Sequence, residues 1–277
     1  MGAAKFDASI GPLMSLQVVP PHLFNWRRAA RVYERQVYRY RREWVILVSG
    51  FFEPLFYLLS IGLGLNSLIG GVHIDGHIVS YAAFVAPGML ATSAMNGAIT
   101  ESLYNMYFRL KVAKNYQAVL TTPIDVNDIA VGEAAWAVTR GALYIASFLL
   151  CMALLGDVAS WWALLCFPAA VLTSATFAGL GLAACTYIRG WQDLDIVQTV
   201  TLPLFLFSGT FFPVSLYPSW LRVVVWISPL YHSSAILQAC AVGSFHWVLL
   251  AHVAVLLALL IGGLRVAARR FRIILQP

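Results

Sequence analysis

"LFLFSGTFFPVSLYPSWLRVVVWISPLYHSSAIL" (residues 204–237) is too apolar for an ordinary loop, yet Pro213, Pro218 and Pro229 interrupt any helix drawn through it. Each proline removes a backbone hydrogen-bond donor, so the stretch cannot form one continuous helix. Broken backbone persists at membrane depth only where it packs against protein or lines a wet cavity. The stretch therefore predicts a polytopic membrane protein with a re-entrant or surface-lying element.

The composition of the whole chain agrees with that interpretation. Its 277 residues are 60% hydrophobic and 11% charged, with a mean hydropathy of +0.77; soluble domains carry about 25% charged residues. The prediction is an all-α integral membrane protein. A helix needs about 20 apolar residues to cross the bilayer, so this length leaves little room for a soluble, energy-transducing domain. We interpret the four isolated cysteines as small hydrophobic residues.

Six runs are compatible with helical crossing: 44–65, 81–108, 133–155, 161–188, 196–212 and 247–264. No cleavable signal peptide is recognisable, because the first run begins only at Trp44. We therefore expect this run to act as its own insertion signal. The predicted organisation is a tail with an interfacial helix in residues 1–43, followed by a six-helix transmembrane domain in residues 44–277.

Basic residues accumulate on one side of this arrangement. Sixteen of the 18 Lys and Arg residues fall in the amino-terminal arm, the 2–3 and 4–5 connections, and the tail. The other side holds Arg222, and Arg140 lies within a span. Because basic residues stay on the cytoplasmic side, both termini are predicted to be cytoplasmic. A seventh span through 220–237 would reverse the tail, so the proline-broken stretch is predicted to lie outside. The alternative is an aromatic belt at the outer interface.

The amino-terminal arm has helical periodicity. In "WRRAARVYERQVYRYRREW" one face is apolar and aromatic, comprising Trp26, Ala30, Tyr33, Val37, Tyr40 and Trp44. Arginines occupy the opposite face, which predicts an amphipathic helix in the inner headgroup layer. Nucleic acid is the competing partner for an arginine cluster, but the aligned aromatic residues and the adjoining span favour membrane lipid.

Chemical motifs are sparse. The sequence has no GxxxxGK loop, so nucleotide hydrolysis on this chain is not expected, and no cofactor is predicted here. The segment "HIDGH" places His73, Asp75 and His77 at a spacing that a metal site permits, but flanking glycines and the want of a further ligand favour an ordinary turn.

Polar and ionisable residues inside spans are better candidates for function, because burying charge in hydrocarbon is costly. Five residues form the predicted substrate pathway: Glu53, Asn96, Glu101, Gln198 and Thr199. Glu133 and Arg140 share a helix face but are two turns apart, too far for a direct pair. The alternative is that several of these groups lie near helix ends and reach water.

Four segments resemble one family. They are "EPLFYLLSIGLGL" (53–65), "YAAFVAPGMLATSAM" (81–95), "YQAVLTTPIDVNDIAVGEAAWA" (116–137) and "LFSGTFFPVSLYPSWLRVVVWISPLYH" (206–232). The chain resembles the membrane subunit of type-2 ABC exporters, most closely the NodJ-like branch, which contains lipo-oligosaccharide export permeases. The last segment is the most specific, because "SGTFFP" followed by "SPLYH" is hard to meet by chance.

The resemblance implies a permease that works with two soluble ABC-class ATPase subunits, which bind ATP and Mg. It implies that the 2–3 connection is a coupling helix on the ATPase, covering Arg109, Lys111, Lys114, Tyr116, Leu120, Thr121, Thr122 and Pro123. The proline-broken element would close the outer mouth through Gly209, Phe211, Phe212, Pro213, Pro218, Pro229, Tyr231 and His232.

The resulting hypothesis is ATP-driven export of an amphipathic substrate through two permease copies, expected as a homodimer in the plasma membrane. Lipid-linked saccharide, glycolipid and hydrophobic drug are equally compatible cargoes. A membrane-embedded lipid- or glycan-modifying enzyme is the alternative and predicts clustered acids or histidines near one interface. A nucleotide-independent channel is a third hypothesis, against which the coupling-type connection argues.

Overall fold

The computed structural model describes residues 25–42, 56, 59–60, 64, 71–74, 77–155 and 161–275. The elements in chain order are α1 (Trp26–Arg42), β1 (Gly71–Ile74), β2 (His77–Ser80), α2 (Tyr81–Ile99), α3 (Asn115–Val119), α4 (Val126–Leu155), α5 (Cys166–Tyr187), α6 (Trp191–Leu206), α7 (Ser219–Ile227), α8 (Pro229–Val242) and α9 (Val248–Leu275). Two π-helical stretches, Thr100–Asn105 and Phe108–Val112, continue α2. Short 3-10 turns cover Trp161–Leu165 and Val214–Leu216.

Within the described residues, four helices are long and apolar enough to span a membrane: Tyr81–Val112, Val126–Leu154, Trp162–Tyr187 and Val248–Leu275. They overlap the predicted spans 81–108, 133–155, 161–188 and 247–264, although the second begins earlier and the last ends later than predicted. The α7–α8 pair, bent by 90°, raises the number to five if it is one span. The predicted first span, 44–65 with Glu53, lies outside the described residues apart from isolated positions. The helical, multi-span character predicted from the sequence is confirmed.

The predicted fifth span, 196–212, has different limits in the structure. Helix α6 begins at Trp191 and ends at Leu206, and its 16 residues are fewer than the roughly 20 that a crossing needs. The chain then turns at Gly209, whose φ of 75° lies in the left-handed region that glycine adopts without a Cβ clash. Pro218 is the N-cap residue of α7, and Pro229 is the first residue of α8. The prolines therefore set where helices start, a position that tolerates the missing donor.

A short antiparallel hairpin of β1 and β2 precedes α2, and the all-helical prediction did not include it. The backbone register pairs His73 with Ile78 and Ile74 with His77. Asp75 of the HIDGH segment lies outside the described residues. Ser80 then caps α2 by accepting a hydrogen bond from the Ala83 amide.

Helix α5 lies at the centre of the bundle and packs against α2, α4, α8 and α9. Small residues permit these contacts, as the stretch "FAGLGLAAC" (177–185) predicts. A Cβ on Gly181 would lie 2.0 Å from Ser102 Oγ, and a Cβ on Gly263 of α9 would lie 2.6 Å from the carbonyl carbon of Gly179. Both glycines of this stretch therefore contact helices of the same chain.

Helix α1 packs along α4, but not with the predicted face. The buried residues are Ala29, Val32, Gln36 and Tyr40, whereas Trp26 is 70% exposed. The buried face is thus displaced by one residue from the predicted series. Gly132 of α4 explains the displacement, because a Cβ there would lie 2.7 Å from Val32 Cβ and 2.8 Å from the Ala29 carbonyl oxygen. The close backbone contact orients α1 toward protein, a contact that hydrophobic periodicity does not encode.

Candidate functional site

Four charged side chains are buried where α1, α2 and α4 meet. Their exposed fractions are 0% for Glu101, 2% for Arg109, 1% for Glu133 and 4% for Arg140. A charged group at membrane depth costs at least about 2.5 kcal/mol on the most lenient scale, so burial requires partners. These four residues, here named the buried charge network, are one another's partners.

The network alternates acids and bases between α4 and the π-helical end of α2. Arg109 Nη2 lies 2.8 Å from Glu133 Oε2, and Arg109 Nη1 lies 2.6 Å from Glu101 Oε1. Arg140 Nη1 lies 2.6 Å from the second oxygen of Glu101. Two carboxylates meet two guanidinium groups, so the buried charges balance. The prediction that Glu133 and Arg140 do not pair directly agrees with this geometry, because each of them pairs with α2.

The π-helical stretches explain why Glu101 and Arg109 can share one site. Eight positions along a regular α-helix leave two side chains about 80° apart around the axis. A π-helical turn, with i→i+5 hydrogen bonds, contains more residues than an α-helical turn, so each residue rotates the chain by fewer degrees. The angle between the two side chains is thereby reduced. The stretches Thr100–Asn105 and Phe108–Val112 contain both residues. Local widening of α2 thus brings the carboxylate and the guanidinium to one face.

Helix α1 is tied to the network at Glu101. The Tyr40 hydroxyl donates to Glu101 Oε2 at 2.8 Å, and Asn105 Nδ2 donates to the same oxygen at 2.8 Å. Burial, followed by the nearby Glu101 carboxylate, raises the pKa of Tyr40 well above its ordinary value. The phenol therefore stays protonated near neutral pH and remains a hydrogen-bond donor.

The connection between α2 and α4 is tied to the network at Glu133. Tyr116 of α3 is fully buried and donates its hydroxyl to Glu133 Oε1 at 2.5 Å, while Gln36 of α1 donates to the same oxygen at 2.6 Å. Arg35 adds an ion pair at 3.7 Å from the same carboxylate. Burial and the Glu133 carboxylate raise the pKa of Tyr116, which keeps its proton available for donation.

The predicted ATPase-interface residues separate into two groups. Lys114, Thr121, Thr122 and Pro123 are exposed, and Lys111 and Leu120 are half-buried. Arg109 and Tyr116 are buried inside the chain, so the prediction that they lie on a contact surface was wrong. Their partners Glu101 and Glu133 explain the burial, because an isolated arginine in a connection would remain in water.

The predicted pathway residues are also divided. Asn96 and Gln198 line one cavity of about 180 Å³ between α2, α4 and α6, with Met89, Thr92, Ser93, Met95, Phe148, Thr201, Leu202 and Phe205. Thr199 is exposed and donates to the Asp195 carbonyl instead of joining the lining. Glu101 belongs to the buried charge network, and its assignment to the pathway stays a prediction.

The predicted outer-gate residues surround the α7–α8 bend. Gly209, Pro213 and Tyr231 line a second cavity of about 410 Å³. Phe212 and Pro218 are exposed, Phe211 and Pro229 are half-buried, and His232 is buried against His252. The histidine partner on α9 was missed in the sequence, because nothing at residue 252 marks it among apolar neighbours.

The sequence singles out Glu101, Glu133 and Arg140 but does not pair them. Its useful signal was the presence of charged residues within apolar spans, where burying charge is costly. The family resemblance assigned Arg109 to the ATPase interface, because Arg109 lies in the connection that the resemblance identifies as a coupling helix. Periodicity placed Tyr40 on the apolar face of the arm without predicting its bond to Glu101, and Gln36 was not selected.

Comparisons with known proteins agree with this architecture. A family model described as ABC-2 type transporter matches residues 30–242. Nodulation protein J of Rhizobium meliloti (strain 1021) is 31% identical over 229 residues, 82% of this chain and 84% of that protein. Nodulation protein J of Rhizobium leguminosarum bv. trifolii is 32% identical over 232 residues, 83% and 86% respectively. The inner membrane transport permease YadH of Escherichia coli (strain K12) is 26% identical over 214 residues, 76% and 80%.

Several helices long and apolar enough to span a bilayer are typical of a multi-pass membrane protein. The chain belongs to the ABC-2 type transporter family, as a permease of the NodJ-like type. The resemblance found in the sequence is confirmed. The protein is therefore a transporter subunit rather than an enzyme, and a multi-pass inner membrane protein.

Proposed function

We propose that this chain is the permease of an ATP-driven exporter and moves an amphipathic substrate outward. Hydrolysis of ATP, with Mg, takes place on two separate ATPase subunits. One observation supports the proposal most: the α2–α4 connection is anchored to both helices through buried charges. Tyr116 binds Glu133 of α4, and Arg109 joins Glu133 to Glu101 of α2. A force applied to the connection therefore reaches two spans at once.

The exposed end of the connection is the surface that the ATPase would contact. Thr121 and Thr122 donate their hydroxyls to the carbonyls of Ala118 and Val119 at 2.8 and 2.6 Å. These bonds close the carboxyl end of α3 and make the exposed tip a defined shape. Lys114 supplies a cation at the other end of α3. The tip thus offers a compact docking surface, with Tyr116 as the internal anchor.

Helix α1 gives the network a second mechanical input. Its buried face packs on α4, and Tyr40 and Gln36 bind the two carboxylates of the network. Its exposed arginines, such as Arg27 and Arg42, would contact anionic headgroups, and each basic residue near the surface contributes about 1 kcal/mol. We place this helix in the inner leaflet beside the ATPase, so that movement of α1 and of the connection act on the same spans.

The cavity lined by Asn96 and Gln198 supports an amphipathic cargo. Its polar groups are hydroxyls and amides, and its remaining lining is apolar and aromatic. Such a lining suits uncharged polar groups attached to an apolar body, as in a lipid-linked saccharide, a glycolipid or a hydrophobic drug. We infer that this cavity belongs to the export pathway.

Helix α6 supports an assembly of two permease copies. Leu194 is its buried residue, whereas Trp191, Ile196, Val200 and Leu202 are each more than half exposed. This helix carries polar Gln198 and exposes most of its apolar residues, so a neighbouring protein helix could pack against it. We propose a second copy of the permease, expected as a homodimer, around one pathway.

The proposed topology has six spans, both termini in the cytoplasm, and an outer re-entrant element formed by α7 and α8. The 90° bend between these helices and the cavity beside it support this placement. Positive charge supports the orientation, because the arm and the tail carry most of the arginines. The α7–α8 element would then close the outer mouth between transport cycles.

Replacing Thr121 with Trp is expected to abolish stimulation of the partner ATPase. The bulky ring would occupy the exposed tip and keep the ATPase off the connection, whereas Thr121→Ser keeps the hydroxyl that binds the Ala118 carbonyl. The measurement is ATP turnover by the ATPase co-purified with permease in nanodiscs. We expect a reduction of about ten-fold or more for Trp, equivalent to about 1.4 kcal/mol of lost coupling.

Equal permease levels and equal thermal unfolding of both variants serve as the controls. Stimulation that survives Thr121→Trp would remove the connection from the coupling mechanism. Failure of the wild-type chain to co-purify with any ABC-class ATPase, or to stimulate one, would contradict the proposed function as a whole.

A further inference from the structure

Two buried histidines join the bent outer element to the last span. His232 lies in the first turn of α8 and His252 in the second turn of α9, with exposed fractions of 4% and 5%. Their Nδ1 atoms are 2.5 Å apart. One ring must donate and the other must accept, because two lone pairs or two protons at this separation would repel.

The tautomers of the neutral pair follow from a third group. His232 Nε2 lies 3.0 Å from the Trp226 carbonyl oxygen, which can only accept, so His232 carries its proton on Nε2. Its Nδ1 is then a lone pair that accepts from Nδ1–H of His252. A neutral His252 consequently has a lone pair on Nε2. The hydrogen bonds run in one direction, from α9 through α8 to α7.

The surroundings of His252 suit a positive charge on its ring. The ring centroids of Tyr231 and Trp226 lie 5.6 and 5.8 Å from that of His252, within the range of cation–π attraction. His252 also lines the cavity of about 410 Å³, through which water can reach it. Burial disfavours the charged imidazolium form of His252. Three features favour it: the hydrogen bond to His232, the two aromatic rings and the water access through the cavity.

The other titratable groups near the pair are few. Tyr231 comes from α8, and His246 lines the same cavity from the connection before α9. Trp226 of α7 and Phe84 of α2 contribute no titratable group. Among the described residues, the hydrogen bonds and ion pairs of the two rings involve neither a carboxylate nor a lysine or arginine. A charge change at this place therefore belongs to the histidines.

We propose that the His232–His252 pair is a proton-binding site that tightens the α7–α8 element against α9 when the outer solution becomes acidic. A solvent proton enters through the cavity and forms an N–H bond at His252 Nε2; no bond breaks. His252 becomes an imidazolium whose Nδ1–H still donates to His232. The bond between the helices becomes charge-assisted and about twice as strong as the neutral one.

A single proton therefore clamps the element, and a second one would release it. The second proton could bind only at the lone pair of His232 Nδ1, which would abolish the hydrogen bond between two cations. The first proton keeps the geometry, so tightening is the response expected as histidine begins to charge, between about pH 8 and pH 5. This inference takes the outer placement of α7 and α8 from the proposed function, but it needs neither the ATPase nor the cargo.

The test uses the full-length permease in nanodiscs with a cysteine reporter in α7. Val225→Cys places a thiol at a position that is 1% exposed, and Ile227→Cys places one at a position that is 75% exposed on the same helix. The ratio of their labelling rates by a thiol reagent cancels the pH dependence of the reagent. The unsubstituted chain, whose four described cysteines are buried, gives the background.

We expect the ratio of buried to exposed labelling to fall several-fold from about pH 8 to pH 5. His252→Gln should abolish this fall, and His246→Gln, which removes another histidine of the same cavity, should retain it. A ratio that rises on acidification, or an equal fall in His252→Gln, would overturn the proposal.

Nitrogen-15 NMR of the unsubstituted chain with labelled histidines is an independent test. The Nδ1–H···Nδ1 coupling should persist while one Nε2 becomes protonated, and its loss at that step would also overturn the proposal.

Discussion

Arg109→Met is expected to destabilise the permease by about 3–5 kcal/mol, the cost of breaking a buried ion pair by removing one partner. Methionine approximates the arginine stem in length but leaves two buried carboxylates without their shared cation. Among the described cations, Glu101 retains Arg140 at 2.6 Å, whereas Glu133 retains Arg35 at 3.7 Å. Most of the loss therefore arises at Glu133, whose other oxygen still accepts from Tyr116 and Gln36.

The measurement is the free energy of unfolding in mixed micelles, together with the steady-state level in membranes. Lys111→Met is the matched control, because it removes a half-buried cation two positions away and should change stability by about 0.5 kcal/mol or less. The triple variant Arg109→Met, Glu101→Gln, Glu133→Gln should recover part of the loss, since the unpaired carboxylates are gone. A triple variant less stable than Arg109→Met would contradict the buried charge network as the cause.

Gly263→Val is expected to cost about 3 kcal/mol, the upper end of the range for overpacking a core. A Cβ at residue 263 would lie 2.6, 2.8 and 2.9 Å from Gly179 C, Gly179 O and Leu180 N. All three atoms belong to the backbone of α5, so no side-chain rotation can relieve the clash. Helices α5 and α9 must separate, and the contact that joins the last span to the centre of the bundle opens.

Gly262→Val provides a closely matched control for this prediction. It makes the same substitution in the same helix, so the change in helix propensity is equal, but a Cβ there meets no atom within 4 Å. The difference between the two variants in the free energy of unfolding isolates the packing cost. Gly179→Ala should be milder than Gly263→Ala, because its nearest neighbour is 3.1 Å away. Equal stabilities of Gly262→Val and Gly263→Val would show that the close crossing does not exist in the membrane.

The sequence predicted most residues of the candidate site, but it did not predict which charged side chains pair with one another. Charged residues within apolar spans marked Glu101, Glu133 and Arg140 as exceptional, because a bilayer selects against them. Arg109 was misassigned because its burial depends on a carboxylate 24 residues away on another helix. The π-helical widening of α2, which brings Glu101 and Arg109 to one face, has no recognisable signature in the residues themselves.

The amino-terminal helix also shows which features the sequence predicts and which features depend on tertiary packing. Periodicity predicted an amphipathic helix, and α1 spans Trp26–Arg42. The buried face nevertheless follows Ala29, Val32 and Gln36, because Gly132 admits the backbone of α1 and Glu133 binds Gln36. For this reason Gln36 is only 1% exposed, although hydrophobicity scales class glutamine as a polar residue that stays at the surface.

The sequence by itself determined that this protein lies in a bilayer, where most of its helices run, and that its arm is amphipathic. These properties depend on runs of residues that are neighbours in the chain. The free energy of burying such a run in the bilayer is the sum of the contributions of its own residues. The tertiary structure decided which charges pair, which tyrosines anchor the α2–α4 connection, and which histidines meet beside α7. Those outcomes depend on distances of a few ångströms between helices remote in the chain. Buried charges and imidazoles accept only partners at hydrogen-bonding distance, so the packing of backbones had to fix them.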